Sequence, residues 1–151
     1  MYWNITYVVF ELWVNRTMKP HENIDMIQLR RAMEASWDSA TSYLNVVEVG
    51  NPALGQCYPT SRVLQMFFPN LEIVEGEVRL GEQIDKHFWN AIEIEGELYH
   101  IDFTWQQFKP GSYVHSFKIR DKKTLNEGKQ TIERCELLKT RVMAYMIEAN
   151  L

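Results

Sequence analysis

Two cysteines in 151 residues, Cys57 and Cys135, are too few to build a disulfide framework, which points to a reducing, cytoplasmic setting. No apolar run is long enough to span a bilayer. The longest near the start, residues 5–14, falls short of the ~20 residues a spanning helix needs and carries Glu11. No basic segment precedes it, so neither an anchor nor a signal peptide is expected. Positive charge is not in excess either. Sixteen Lys and Arg against 20 Asp and Glu leave a formal charge of -4, the opposite of a nucleic-acid-binding surface. No internal repeat and no low-complexity segment interrupts the chain.

With 46% hydrophobic and 24% charged residues, the chain has enough apolar material for one sizeable core. The organisation expected is an N-terminal extension, residues 1–25, and a single α+β domain, residues 26–151. The extension is rich in β-branched and aromatic residues, so residues 5–14 read as an added edge strand or as a homodimer contact. Asp25 is a good N-cap for a helix over 26–39, with Met26, Leu29, Met33, Trp37 and Ala40 at helical spacing. A second helix is expected over 59–68, opened by Pro59, stopped by Pro69 and burying Val63, Leu64, Phe67 and Phe68. Residues 71–78 read as a strand and 79–86 as a polar loop. Residues 87–94 and 97–104 alternate and flank Glu95-Gly96, the pattern of a β-hairpin. A short strand over 113–119 and an amphipathic helix over 129–149 complete the reading, the latter burying Ile132, Leu137 or Leu138, Val142, Tyr145 and Met146.

Cys57 stands at a helix start, where unpaired N–H groups and the positive end of the helix dipole favour thiolate over thiol. A lone cysteine is more often a small buried hydrophobe, so the partners decide. His87 lies 30 residues further on, and Asp102 lies 15 beyond it. If Glu95-Gly96 is a two-residue turn, Trp89 opposes Asp102 and His87 opposes Thr104. His87 and Asp102 then become diagonal neighbours on one face of the hairpin, within reach of a side-chain hydrogen bond. A thiol, an imidazole to take its proton and a carboxylate to orient the imidazole are what nucleophilic cysteine chemistry needs. A second option joins Cys57 with His87, His100 or His115 around a metal, but no close Cys/His pair of ligand spacing supports it. No metal and no cofactor are expected. Trp89, Trp105 and Phe108 are candidate aromatic walls.

The segments Asn51-Pro52-Ala53-Leu54-Gly55-Gln56-Cys57, Glu75-Gly76-Glu77-Val78, His87-Phe88-Trp89-Asn90, Ile101-Asp102-Phe103-Thr104 with Gln107-Phe108, and Glu136-Leu137-Leu138-Lys139 resemble the YunG-like family of bacterial proteins. The His and Asp segments also resemble those of transglutaminase-like, papain-like thiol enzymes. The resemblance covers about Leu29 to Val142. It implies an α+β domain in which the cysteine helix packs on a small antiparallel sheet bearing His87 and Asp102. On that reading Cys57 is the nucleophile, His87 the base and then the acid, and Asp102 the orienting group. The Cys57 N–H, with Gln56 as a candidate side-chain donor, would form the oxyanion hole. The expected reaction is hydrolysis or acyl transfer at a peptide, amide or thioester through a thioacyl-enzyme. The alternative is a non-catalytic binding module on a retired thiol-enzyme fold. No nucleic-acid or membrane partner is expected.

Overall fold

Asp25 opens the first helix by accepting hydrogen bonds from the backbone N–H of Ile27 (2.9 Å) and Gln28 (3.3 Å), as an N-cap should. The computed structural model describes residues 25–149, so the strand expected over 5–14 lies outside the described residues. Helix α1 spans Met26–Ser36 and buries Met26, Leu29, Ala32 and Met33. It ends three residues short of the expected 39. Trp37 is extended there, and the Asp38 carboxylate accepts from the N–H of Ala40 and Thr41 instead of leaving those amides to the helix.

Helix α2 spans Cys57–Phe67, so Cys57 is the first helical residue and the helix starts two residues before Pro59. Strands β1 (Glu72–Leu80) and β2 (Gln83–Ile94) pair from Leu80↔Gln83 to Glu72↔Ala91. The polar loop expected over 79–86 is therefore only the two-residue turn at Gly81 and Glu82. The charges that suggested a loop are strand residues that satisfy one another, as in the Glu77–Arg79 and Glu75–Lys86 ion pairs.

Strand β3 (Glu97–Ile101) pairs with β2 through the expected Glu95-Gly96 turn, whose residues both have positive φ, 53° and 82°. Pairing stops at Asn90↔Ile101 rather than running to residue 104. The chain then enters a short 3-10 turn at Trp105–Gln107. Strand β4 (Tyr113–Ile119) pairs with β1, and helix α3 (Lys129–Ala149) has the expected bounds. Its buried stripe is Cys135, Leu138 and Val142. Ile132, expected inside, is 48% exposed because the first turn of α3 precedes its contact with the core.

The fold is α+β: among the described residues, three helices and a four-stranded antiparallel sheet of order β3-β2-β1-β4. One core joins α1, α2 and α3 to the face carrying Ile92 and Ile101. Strand alternation puts Val74, Trp89 and Ala91 on the other face as a smaller cluster, and His87 with them. Gly76, directly opposite His87, makes room for that cluster, since a Cβ there would collide with the Trp89 ring. No helix among the described residues is long and apolar enough to cross a membrane.

Candidate functional site

Because β3 ends opposite Asn90, the part of β2 that carries His87 has β1 on one side and, among the described residues, no strand on the other. That opening lets groups outside the sheet reach His87. The first is Asp102, on the chain just past β3, whose Oδ2 lies 2.6 Å from His87 Nε2. The second is Cys57, close enough to act on the imidazole electrostatically. The three residues picked out by spacing are thus brought together, Cys57 from the start of α2, His87 from β2 and Asp102 from the chain just past β3 rather than from the strand expected to carry it.

Each is held by further contacts. Asp102 Oδ1 accepts from the N–H of Thr104 (3.0 Å) and from its hydroxyl (3.2 Å), which leaves Oδ2 for the histidine. Sequence reasoning missed this use of Thr104. The Asp-x-Thr spacing, in which a carboxylate caps the amide two residues on, was the available signal. The distance between strand and helix is set by Asn90, which is 1% exposed. Its Nδ2 donates to the Ser61 carbonyl (2.9 Å) and the Glu72 carbonyl (3.3 Å). One buried amide therefore ties β2, three residues past His87, to α2, one turn past Cys57. Ser61 Oγ in turn donates to the Cys57 carbonyl at 2.6 Å. An asparagine inside a strand is an unusual choice, and that oddity was the signal for it.

His87 is fully buried in an aromatic box. Trp89 stacks on it (centroids 5.5 Å apart, 26° between planes), Phe108 stands edge-on at 4.7 Å, and Trp105 lies at 6.1 Å. The three expected aromatic walls are all here. Burial by itself lowers the pKa of an imidazole. The Asp102 carboxylate, through its charge and its hydrogen bond, outweighs that, and with a further contribution from Cys57 it carries His87 up to about 10. The ring is therefore cationic at neutral pH. Its Nδ1 is buried and has no hydrogen-bond partner, so it is the ring nitrogen that Asp102 does not engage.

Helix α2 begins without a side-chain cap. Pro59 has no N–H, and the first amide bonded back is Thr60, to the Gln56 carbonyl at 3.0 Å. The Cys57 and Tyr58 amides are left as donors at the positive end of the helix. The Gln56 side chain is placed elsewhere. Its Nε2 donates to the Asp38 carbonyl (3.0 Å), and its Oε1 is buried without a partner. An amide turned toward residue 38 braces the loop ahead of the cysteine.

The other histidines occupy different positions. His100 Nδ1 accepts from Trp89 Nε1 (2.8 Å), and burial lowers its pKa to about 4, so it is neutral at pH 7. His115 is exposed on β4. Among the described residues, no three His, Cys, Asp or Glu side chains converge to hold a metal ion.

Cys135 sits behind α2 in a separate cluster. Tyr58 donates to Glu127 (2.8 Å), and Arg62 pairs with the same carboxylate (3.2 Å). Burial, then the charge of Glu127, pushes the Cys135 thiol up to about 12.

No curated protein and no solved structure gives a significant match to this sequence. The family model described as YunG protein matches residues 25–147, nearly all of the described chain, with the Cys57, His87 and Asp102 segments inside it. On that match the chain belongs to the YunG protein family.

Proposed function

We propose that the protein is a thiol-dependent hydrolase or acyltransferase that works through a thioacyl-enzyme, with a site arranged as in papain-like and transglutaminase-like enzymes. The observation that carries this reading is the polarity of His87. One ring nitrogen is engaged by Asp102, the other is unbonded and buried, and the ring is held cationic beside Cys57. An imidazolium next to a thiol at a helix start is the setting in which cysteine serves as a nucleophile.

Cys57 Sγ attacks the carbonyl carbon of an amide or thioester, its proton having passed to His87 Nδ1. The carbonyl electrons move to oxygen, where the Cys57 and Tyr58 amides are placed to receive the charge. Collapse of the adduct expels the amine or thiol, which takes the proton from Nδ1 and leaves an acyl group on Sγ. Water or an acceptor amine then gives its proton to His87, attacks the acyl carbon and releases the thiol. Asp102 keeps Nδ1 aimed at the sulfur throughout and stabilises the cation.

The test is acyl capture. Incubation with a small set of activated thioesters should add one acyl mass to the intact protein. Peptide mapping should place it on Cys57, and His87→Ala should abolish it. No adduct on Cys57 with any acyl donor would leave the non-catalytic binding module as the better account.

A further inference from the structure

The loop between α1 and α2 has the shape of an Ω-loop: its ends meet while its tip projects. At the base, Tyr43 N–H donates to the Gly55 carbonyl (2.7 Å), and Gln56 reaches the Asp38 carbonyl (3.0 Å). Gly55 has φ 76°, and a Cβ there would strike the Ser42 hydroxyl, so the base closes as tightly as a chain can. From Tyr43 on, the loop exposes apolar side chains, although Arg134 of α3 donates to Asn45 Oδ1 (3.3 Å) and its guanidinium lies over the Tyr43 ring. Tyr43 is 64% exposed, Leu44 49%, Val46 47%, Val47 58% and Val49 100%.

Two ties place this tip at the candidate site. The loop runs through Gly55 and Gln56 directly into Cys57. Near its tip, Asn51 Nδ2 donates to the Gln107 carbonyl (3.1 Å), in the turn whose first residue, Trp105, walls His87. Val49 is two residues from that tie. The loop thus spans from the residue before the thiol to the aromatic wall of its histidine, and its exposed surface is mostly hydrocarbon, interrupted by Asn45 and Glu48. Five exposed apolar side chains within seven residues is a cluster, not the scattered exposure ordinary surfaces show. A substrate whose carbonyl sat on Cys57 would have its neighbouring groups beside this loop.

We infer that the 43–49 loop is the specificity lip of the Cys57 site, and that it takes an apolar side chain or acyl chain next to the carbonyl attacked. The inference rests on the thiol-enzyme reading and names its substrate class: amides or thioesters whose acyl part is hydrophobic rather than acidic.

The experiment compares two chloromethyl ketones, N-acetyl-leucyl and N-acetyl-glutamyl, on the full chain. Each forms an Sγ–carbon bond as chloride leaves. The leucyl probe should label Cys57 about tenfold faster, the scale of discrimination by apolar contacts. The double variant Val47→Asp, Val49→Asp should erase that preference while leaving the iodoacetamide rate at Cys57 unchanged. Both positions are solvent-exposed, so the variant should fold, and its melting curve checks this. Equal labelling by the two probes, or a preference indifferent to the aspartates, overturns the lip while leaving the thiol reading intact. A Cys57 that reacts with neither probe nor iodoacetamide overturns both. A dimer that the aspartates dissociate, with the preference unchanged, makes the patch a self-association surface and also overturns the lip.

Discussion

Cys57 opens α2 and Cys135 lies on α3, and their surroundings are opposite in sign. Beside Cys57 stands an imidazole that a carboxylate keeps cationic. Beside Cys135 stands the Glu127 carboxylate, and the thiol is fully buried. Both clusters contain a carboxylate. The difference is whether a base lies between it and the sulfur. Asp102 acts on Cys57 through His87, which converts a negative group into a positive neighbour. Burial first, and then the charge of Glu127, raises the pKa of the Cys135 thiol.

The largest expected effect is in alkylation. At pH 6, iodoacetamide should modify Cys57 at least about a hundredfold faster than Cys135, given the burial and raised pKa of the latter. His87→Ala should remove most of that advantage and Asp102→Ala a smaller part, both read by peptide mapping. If Cys57 keeps its full rate without His87, the contrast between the two thiols is one of exposure alone.

Next in size is the tie that holds the Cys57 side of the comparison together. Asn90→Ala removes both buried amide hydrogen bonds, which should cost about 2–3 kcal/mol in denaturant unfolding. It should also slow Cys57 labelling several-fold by loosening the helix against the strand, without making Cys135 faster in the folded state.

The pH dependence of stability offers a third comparison, between His87 and His100. His87 has a folded pKa raised to about 10. Its contribution is fully present below the unfolded value near 6.5 and is lost as pH rises toward 10. His100 has a folded pKa lowered to about 4. The unfolded chain then binds the proton more tightly, and stability falls as pH drops from about 6.5 toward 4. Thermal midpoints should therefore decline on both sides of neutrality. Asp102→Asn should flatten the alkaline limb, and His100→Gln the acid one. An alkaline limb unchanged by Asp102→Asn would mean that the His87 cation is not held by that carboxylate.

The smallest effect is expected on the Cys135 side. Glu127→Gln keeps the shape and loses the charge, so stability should fall by about 1 kcal/mol as the Arg62 pair weakens. Cys57 labelling should not change. A change there would show that the two clusters are coupled through Tyr58.

Much of this was legible in the residues. Asp25 and Pro69 mark helix ends by local chemistry, and the Glu95-Gly96 turn sets the β2–β3 register, which ends at Asn90↔Ile101 before it reaches His87 or Asp102. The strand misread as a loop over 79–86 shows the limit. Its polar residues are balanced by partners on the same strand and the next, and no single-strand pattern contains that information. The hairpin was also expected to run on to residue 104, whereas Thr104 folds back to bind Asp102.

By itself the sequence determined which elements form and which residue types could do chemistry, because caps, turns and periodicity act over a few residues. Only the tertiary structure decided how those residues act. It ended β3 early so that β2 has no β3 partner at His87, turned Gln56 toward Asp38, and placed Asn90 between strand and helix. It also enclosed His87 in aromatic rings beside a carboxylate. Charge state and orientation depend on burial and on partners distant in the chain, and those exist only once the chain has packed.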